Sequence, residues 1–252
     1  MDDEALLALA ADLAQRAAAT ILAIRAKGFE TLRKADDSPV TAADQTSERI
    51  IAEGLRAATP AIPVIAEEEA AAGRDQAATH EFWLVDPLDG TREFAAGRDQ
   101  FTVNIGLVRE GRAVLGVVAV PALAEMFGGI VGRGAWRRDA AGEHPIATRA
   151  PSSEGLTVLA SRHSGKDPRL LAYLGEQTIA SLANFGSSLK FCRLAEGRAD
   201  LYPRFGRTME WDTAAPQAVL EAAGGHVRTV EGEPLRYGKP GWENPSFICT
   251  GR

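Results

Sequence analysis

The sequence predicts an α/β fold of the α+β type, with an N-terminal half rich in antiparallel strands and a C-terminal half of alternating strands and helices. Two amphipathic helices open the chain, and β-branched residues then recur in short runs over residues 101–137. From residue 151 short apolar runs alternate with helical segments, which is typical of α/β units. The Ala-Pro-Ser-Ser stretch at 150–153 separates the two patterns, so we expect domains at 1–150 and 151–252.

Composition places the chain among soluble globular proteins. Its 252 residues are 45% hydrophobic and 25% charged, which is close to the average for such proteins and far from disordered or fibrous sequences. The formal net charge is −6, from 28 basic and 34 acidic residues. Because general nucleic-acid binders carry a basic excess, we expect no nucleic-acid partner. The sequence does not indicate an oligomeric state.

Cysteine usage and the N-terminus predict a cytoplasmic protein. The chain has two cysteines, Cys192 and Cys249, and their spacing matches neither a disulfide framework nor a zinc site. The N-terminus lacks a basic region, and the apolar run from Ala17 to Ile24 is far shorter than the roughly 20 residues that span a bilayer. We therefore expect no secretion signal and no transmembrane segment.

The first helix is predicted over residues 4–27, where apolar residues recur every three or four positions up to Gly28. Thr41-Ala42-Ala43-Asp44 resembles a capping box that opens a second helix. Residues 82–85 form an apolar strand that we expect to end at Asp86-Pro87, because proline cannot donate a ladder hydrogen bond. The glycine-rich run 128–134 lies between predicted strands and indicates a hairpin.

The C-terminal half is predicted to contain short elements in alternation. Strands are expected near 157–160, 178–182, 199–202, 225–229 and 247–250. Helices are expected near 168–174, 187–195 and 212–223.

The segment Asp86-Pro87-Leu88-Asp89-Gly90-Thr91 carries the strongest chemical signal. It places two carboxylates three residues apart at the end of a strand, and the Leu88 carbonyl can point the same way. Magnesium favours carboxylate, carbonyl and water oxygens and is typically found beside phosphates. Gly90 and Thr91 lie where a short helix would start, so their amide groups are available to phosphate oxygens. One loop could therefore hold both a cation and a phosphate.

Each acidic residue also has a purely structural interpretation. Asp-Gly is a common turn, and Asp212, which opens an alanine-rich helix, could be an N-cap worth about 1 kcal/mol. Glu67 could be one of three solvated charges in the run 67–69. Lys190 and Arg204 could be ordinary exposed cations.

Other chemistries fit the sequence less well. Phosphatases with an aspartyl nucleophile carry Asp-x-Asp-Gly-Thr, whereas here an extra residue separates Asp86 from Asp89, which favours hydrolysis by metal-activated water. The calcium EF-hand pattern, the Walker loop and the G-x-S-x-G elbow are absent from the sequence. The four histidines show no metal-ligand spacing.

These motifs together resemble the inositol monophosphatase superfamily over nearly the whole chain. The resemblance is carried by Glu67-Glu68, by the 86–91 segment, and by Trp211-Asp212-x-x-Ala215 followed by 223–225. The segments 37–44, 101–105, 186–192 and 199–206 are similar to the CysQ-type 3′(2′),5′-bisphosphate nucleotidase branch.

The resemblance implies a layered α-β-α-β-α sandwich, with an antiparallel sheet in the N-terminal half and a mixed sheet in the C-terminal half. It also implies a phosphomonoester hydrolase that uses two or three Mg²⁺ ions and is inhibited by lithium. The expected reaction converts adenosine 3′,5′-bisphosphate to AMP and phosphate and serves sulfur assimilation. The resemblance also leaves open, beside a freely cytoplasmic protein, peripheral association with the cytoplasmic face of the inner membrane.

The resemblance also assigns residues to roles. The expected magnesium ligands are Glu67, Asp86, the Leu88 carbonyl, Asp89 and Asp212. Asp44 and Thr91 match the pair that orients or deprotonates the attacking water, and Glu67 completes the expected catalytic set. The expected substrate contacts are Glu67, Leu88, Asp89, Gly90, Thr91, Ser187, Lys190, Arg204 and Asp212. Of these, Ser187, Lys190 and Arg204 match positions near the second phosphate of the nucleotide. Glu210 and His163 are further substrate-side neighbours.

Two positions depart from the branch pattern. Arg207 stands where proline is usual, and Pro216 stands where a small residue is usual and could cost its helix a hydrogen bond. The alternatives are an inositol or fructose 1,6-bisphosphate phosphatase of the same superfamily, and a regulator that binds a nucleotide or cation without turnover.

Overall fold

The computed structural model describes residues 1–33, 39–74, 77–162, 167–175 and 177–252. Its helices are α1 (Asp3–Lys27), α2 (Ala42–Ala58), α3 (Glu67–Ala71), α4 (Thr91–Ala95), α5 (Pro168–Leu174), α6 (Leu189–Ala195) and α7 (Glu210–Ala222). Its strands are β1 (Thr31–Arg33), β2 (Pro39–Thr41), β3 (Val64–Ala66), β4 (Glu81–Asp89), β5 (Thr102–Arg109), β6 (Arg112–Val120), β7 (Glu125–Ile130), β8 (Gly134–Asp139), β9 (Gly142–Ile146), β10 (Leu156–Ser161), β11 (Ile179–Phe185), β12 (Leu201–Arg204), β13 (His226–Thr229) and β14 (Phe247–Thr250).

Local signals set the ends of the first two helices as predicted. The Asp2 carboxylate accepts the Ala5 N–H at 2.9 Å and caps the start of α1, which ends at Gly28 in a positive-φ conformation. At the start of α2, the Thr41 hydroxyl accepts the Ala43 N–H, and the Asp44 carboxylate accepts the Thr41 N–H. The predicted capping box is therefore confirmed.

The larger sheet has the strand order β3-β4-β5-β6-β7-β8-β9. Neighbouring strands from β4 to β9 are antiparallel. Short turns join the consecutive strands from β5 to β9, whereas α4 lies between β4 and β5. Strand β3 pairs in parallel with β4. The predicted antiparallel sheet is thus confirmed from β4 onward, and β3 makes the sheet mixed at its edge. The glycine-rich hairpin is the β7–β8 connection.

The smaller sheet is mixed, as predicted, with the order β11-β10-β12-β14-β13. Strand β10 runs parallel to β11 and β12, whereas β14 is antiparallel to β12 and β13. All of the elements expected in the C-terminal half are present, with bounds that differ by a few residues.

Apolar side chains join these elements into five layers. Helices α1 and α2 cover one face of the larger sheet, and their core includes Trp83 and Ile105. Helices α6 and α7 lie between the two sheets, and α5 packs on the far face of the smaller one through Leu170. The α-β-α-β-α sandwich is confirmed. The central core draws residues from both halves of the chain, and the domain boundary at 150/151 stays a prediction.

Helix α7 lies unusually close to the larger sheet. A Cβ added to Gly106 would lie 2.6 Å from the Ala215 nitrogen, and one added to Gly116 would lie 2.3 Å from the Ala215 carbonyl oxygen. Only glycine permits this approach, because the atoms it would meet belong to backbone. The two glycines therefore fix the position of α7, and with it the side chains of its first turn. Pro216 is accommodated within this buried helix.

Helix α1 is long and apolar enough to cross a membrane by length and composition alone. In the fold, eight of its residues are buried, including Leu13 and Ile21, and they pack in the core beneath the larger sheet. This packing is that of a core helix. The expected absence of a transmembrane segment stays a prediction.

Candidate active site

Parallel pairing of β3 with β4 brings Glu67 and Asp86 to the same edge of the larger sheet. Ala66 and Val85 are the last paired residues of the two strands. The residues that follow them, Glu67 and Asp86, therefore lie next to each other. Glu67 begins α3 and lines the main pocket of this region. In contrast, Glu69 forms an ion pair with Arg56 at 2.5 Å. The interpretation of 67–69 as three equivalent solvated charges is therefore wrong.

A β-bulge places the second carboxylate. Asp86 lies opposite Asn104, and Asp89 lies opposite Thr102, so two residues of β4 face a single residue of β5. The prediction that the strand ends at Asp86-Pro87 is corrected, since β4 continues to Asp89. A bulge tolerates Pro87 because the extra residue there makes no ladder bond. The Asp86 carboxylate accepts the Leu88 N–H at 2.9 Å and closes the bulge.

Gly90 links this bulge to helix α4. It adopts a φ of 93°, and an added Cβ would lie 3.1 Å from the Gln100 carbonyl oxygen and 3.4 Å from the Ser187 Cβ. Glycine is favoured there by both conformation and space. Helix α4 then starts at Thr91, which confirms the predicted helix start.

Asp44 and Thr91 form a hydrogen-bonded pair at the pocket. The Thr91 hydroxyl lies 3.0 Å from Asp44 Oδ1 and 3.1 Å from the Leu88 carbonyl oxygen. Asp44 Oδ2 accepts both the N–H and the hydroxyl of Thr41 at 2.7 Å. Burial raises the pKa of the Asp44 carboxyl, while its hydrogen bonds with Thr41 counteract that rise. Asp44, the acidic residue of the α2 capping box, thereby connects the start of α2 directly to the 86–91 segment.

Asp89 is fixed from the other side by the segment before α6. Its Oδ2 accepts the Ser188 N–H at 2.5 Å, and the Ser188 hydroxyl lies 2.7 Å from the Thr102 hydroxyl. The Ser188 hydroxyl also donates to Asn104 Oδ1 at 2.8 Å. This buried network joins β5 of the N-terminal half to the C-terminal half. Ser188, Thr102 and Asn104 were not predicted as site residues, because only folding brings them beside Asp89.

Asp212 enters the same region from α7. It is the third residue of the helix, and its Oδ2 accepts the N–H of Met209, the N-cap residue, at 2.8 Å. The carboxylate therefore helps to cap the helix although it is not the N-cap. It also lines the pocket with Glu67 and Asp89.

Three of the acidic side chains, those of Glu67, Asp89 and Asp212, line one cavity of about 330 Å³. Its lining residues are Glu67, Asp89, Gly90, Thr91, Arg92, Glu93, Ser161, Arg162, Gly186, Ser187, Ser188, Lys190, Phe191, Tyr202, Arg204, Arg207, Thr208, Asp212, Thr213 and Phe247. Burial raises the pKa of Asp86 and Asp212 well above the ordinary value, and the neighbouring negative charges of Glu67 and Asp89 raise both further. The carboxylates are thus close enough to repel one another.

One oxygen of each aspartate is held by the backbone. Asp86, Asp89 and Asp212 each accept an N–H through one carboxylate oxygen, from Leu88, Ser188 and Met209 respectively. The side chains have fixed orientations as a result. Among the described residues, no three His, Cys, Asp or Glu side chains already form a closed metal site. The structure therefore contains a converging set of oxygen donors rather than a preformed cage.

The residues expected near a second phosphate differ in their surroundings. Ser187 has a φ of 50° and lines the pocket beside Arg204. Lys190 is buried, and its ammonium donates to the carbonyls of Phe185, at 3.3 Å, and Ser187. Burial lowers the pKa of Lys190 to about 8, and the negative charge of Asp89 counteracts this shift. Lys190 thus supports the loop of Ser187 from within the protein, so it is not an ordinary exposed cation.

Glu210, a further expected neighbour of the substrate, does not join the site. Glu210 is fully buried, and its carboxylate accepts the N–H groups of Gly238 and Lys239 at 2.7 and 2.9 Å. It anchors the C-terminal segment, so its expected position beside substrate is corrected. His163 and residues 37–38 of the 37–44 motif lie outside the described residues.

Glu48 is a buried carboxylate that the sequence did not single out. Its two oxygens accept the N–H groups of Glu68, at 2.6 Å, and Glu69, at 3.0 Å, in the first turn of α3. Burial raises its pKa to about 7. This long-range cap orients the helix that begins with Glu67, and the separation of about 20 residues leaves no local sequence signal.

Comparison with known proteins agrees with this arrangement. The model of the inositol monophosphatase family matches residues 2–249. The chain therefore belongs to the inositol monophosphatase family.

Several relatives carry a more specific name. The 3′(2′),5′-bisphosphate nucleotidase CysQ of Salmonella typhimurium is 45% identical over 226 residues, which cover 89% of this chain and 90% of the relative. The protein of the same name from Escherichia coli K12 is 42% identical, with coverage of 88% and 89%. The crystal structure of CysQ from Bacteroides thetaiotaomicron superimposes with a TM-score of 0.82 at 34% identity, and it covers 99% of this chain and 98% of that one.

Proposed function

We propose that this protein is a magnesium-dependent 3′(2′),5′-bisphosphate nucleotidase, which hydrolyses adenosine 3′,5′-bisphosphate to AMP and inorganic phosphate. Support comes from relatives of that name at 42–45% identity over most of the chain. The single observation that carries the proposal is the convergence of Glu67, Asp89 and Asp212 on the pocket that also contains Gly90 and Thr91. A cation site and a phosphate loop then share one cavity.

The carboxylate set fits a hard divalent cation. Uncompensated buried carboxylates destabilise one another, as the raised pKa values of Asp86 and Asp212 indicate, and a cation removes that repulsion. The residues that would hold two or three Mg²⁺ ions are Glu67, Asp86, the Leu88 carbonyl, Asp89 and Asp212. Bound magnesium would supply charge neutralisation of the phosphate and a lowered pKa of the attacking water. Some adjustment of the side chains accompanies binding, since no closed site exists among the described residues.

Asp44 and Thr91 would orient and activate the water. In this role Thr91 Oγ1 donates to Asp44 Oδ1 across 3.0 Å, so its lone pairs accept a hydrogen bond from the water. As the water oxygen attacks phosphorus, its proton passes to the threonine hydroxyl while the hydroxyl proton passes to Asp44. The P–O ester bond breaks and its electron pair goes to the leaving 3′ oxygen, which is then protonated from solvent. The raised pKa of Asp44 suits it to accept a proton.

The protein would bind the two phosphates at different walls of the pocket. The amides of Gly90 and Thr91 are proposed to contact the phosphate that is cleaved. Ser187 and Arg204 are proposed neighbours of the second phosphate, and Lys190 contributes its charge from beneath Ser187. Such electrostatic stabilisation is required because the uncatalysed hydrolysis of phosphate monoesters is among the slowest known reactions.

A cytoplasmic location accompanies this proposal. Cys192 and Cys249 are both free and buried, which suits a reducing compartment. The proposed partner is the small-molecule substrate.

The test is turnover of three substrates by one enzyme preparation. Adenosine 3′,5′-bisphosphate, inositol 1-phosphate and fructose 1,6-bisphosphate are compared by kcat/KM with Mg²⁺ present and after chelation. We expect the nucleotide to be preferred and chelation to abolish its hydrolysis. A clear preference for inositol phosphate or the sugar bisphosphate would overturn the assignment, and no turnover of any monoester would favour a regulator.

A further inference from the structure

Arg162 lies at the end of β10, on the wall of the same pocket, and no role was expected for it. Its Nη2 donates to Gln100 Oε1 at 2.7 Å, and its Nε lies 3.5 Å from Glu93 Oε2. Both contacts use one edge of the guanidinium, so the Nη1 end is directed away from them. The side chain is 35% exposed. This arrangement fixes a cation while leaving donors for another partner.

Within the described part of the chain, the ion pairs of Glu93 with Arg98 and Arg162 set one negative charge against two positive ones. Glu93 is 3% exposed and pairs with Arg98, through Arg98 Nη1 at 2.8 Å, as well as with Arg162. One carboxylate thus faces two guanidinium groups. An anion in the pocket would meet the residual positive charge at Arg162, because Arg98 does not line the cavity.

Gln100 ties this cation to the proposed phosphate loop. Its Oε1 accepts the Gly186 N–H at 2.9 Å in addition to the Arg162 bond, and its carbonyl oxygen lies against Gly90. A Cβ on Gly186 would lie 2.8 Å from Glu93 Cγ and 2.9 Å from the Gln100 carbonyl oxygen, so the loop packs tightly on the Glu93 side chain and the Gln100 backbone. Arg162 is therefore held at a fixed offset from Gly90.

Three other cations that line the pocket, Lys190, Arg204 and Arg207, also contact groups of the protein. Lys190 donates to two backbone carbonyls, Arg204 donates to the Arg207 carbonyl at 2.9 Å, and Arg207 pairs with Glu243 at 3.2 Å. We propose that Arg162 binds the second, uncleaved phosphate of the substrate, and that Glu93 and Gln100 are positioning residues that orient its guanidinium. This inference rests on the proposed function. It assigns to the Arg162 guanidinium the preference for bisphosphate over monophosphate substrates.

The experiment compares adenosine 3′,5′-bisphosphate with adenosine 3′-monophosphate, which lacks the second phosphate. For Arg162→Gln we expect KM for the bisphosphate to rise about 10- to 100-fold, the range of a charge-assisted hydrogen bond pair, with kcat nearly unchanged. Kinetics with the monophosphate should stay the same. Arg98→Gln is the matched control, since it removes a different cationic partner of Glu93 and should leave the ratio between the substrates unaltered.

Gln100→Leu tests positioning. It should raise KM for the bisphosphate alone, and the double variant with Arg162→Gln should be no worse than Arg162→Gln, because both act through one contact. If the effects of Gln100→Leu and Arg162→Gln on KM add in the double variant, and both substrates are affected, Gln100 has a merely structural role and the positioning claim is overturned. An unchanged bisphosphate KM in Arg162→Gln, or an equal loss with both substrates, would overturn the phosphate assignment.

If the wild-type protein hydrolyses neither nucleotide, the proposed function fails first. Calorimetric titration of wild type and Arg162→Gln with adenosine 3′,5′-bisphosphate then decides the inference separately. Weaker binding by the variant alone supports it, and equal or absent binding by both proteins contradicts it.

Discussion

Asp44 and Thr91, which lie 47 positions apart, share a hydrogen bond of 3.0 Å between Asp44 Oδ1 and Thr91 Oγ1. Asp44 caps helix α2 and Thr91 starts helix α4, so one contact connects two helix starts with the segment that carries Asp86 and Asp89. In this arrangement residues that fix local structure are also the ones proposed to activate water.

Thr91→Val should remove the relay without disturbing the fold. We expect kcat to fall by about 10²- to 10⁴-fold, the usual contribution of general acid–base catalysis, because Asp44 then has no hydroxyl through which to accept a proton. Steady-state kinetics with adenosine 3′,5′-bisphosphate measure this. Thr91→Ser is the control and should retain most activity. Equal kcat in Thr91→Val and wild type would exclude the relay.

Magnesium should stabilise the protein against heat. At a concentration about 100 times its Kd, Mg²⁺ binding to the folded state should raise Tm by roughly 5–10 °C. Asp212→Asn should melt above wild type in EDTA, since it removes one of the repelling buried charges, and should respond less to Mg²⁺. Thermal unfolding with and without the metal provides the measurement. Asp12→Asn, an exposed acid of α1, should behave as wild type, and an identical response of Asp212→Asn would refute the metal role.

Glu48 should make stability depend on pH. Burial raises its pKa from 4.5 to about 7, so the folded state binds its proton more tightly than the unfolded chain does. Its contribution to the free energy of unfolding is therefore fully present below pH 4.5 and is lost as pH rises through about 7. Relative to Glu48→Gln, wild type should lose about 1–3 kcal/mol over that interval in denaturant titrations. Parallel pH curves for the two proteins would count against this assignment.

Gly116→Ala should destabilise the fold and reduce activity together. The added Cβ would lie 2.3 Å from the Ala215 carbonyl oxygen, so α7 must shift, and Asp212 shifts with it. We expect a loss of about 1–3 kcal/mol and a lower kcat at temperatures where the variant is folded. Gly175→Ala is the control, because its new Cβ would meet its nearest neighbour at 3.4 Å. Wild-type activity and stability in Gly116→Ala would contradict the argument.

The sequence predicted much of this fold because its signals are local. Helix α1 ends at Gly28 and helix α2 begins at the Thr41 capping box, and in both places one or two side chains decide the conformation. The predicted strand that carries Asp86 is shorter than the observed one, because proline normally ends a strand. Pairing with β5 around a bulge overrode that preference.

The site was less predictable where it depends on tertiary contacts. Family resemblance identified Glu67, Asp89 and Asp212, which line one pocket in the structure. It could not show that Lys190 turns inward to backbone carbonyls, or that Glu210 anchors the C-terminal segment. Burial and hydrogen-bond partners of charged side chains are properties of the assembled fold, and sequence spacing does not encode them.

The central claim is that acidic side chains from β4, α3 and α7 hold divalent ions beside the phosphate loop. Anomalous diffraction from crystals soaked with Mn²⁺ and inorganic phosphate tests it most directly. We expect anomalous peaks about 2.0–2.2 Å from the oxygens of Glu67, Asp86, Asp89, Asp212 and Leu88, with phosphate against Gly90 and Thr91. Manganese bound elsewhere, with none at these carboxylates, would contradict the account.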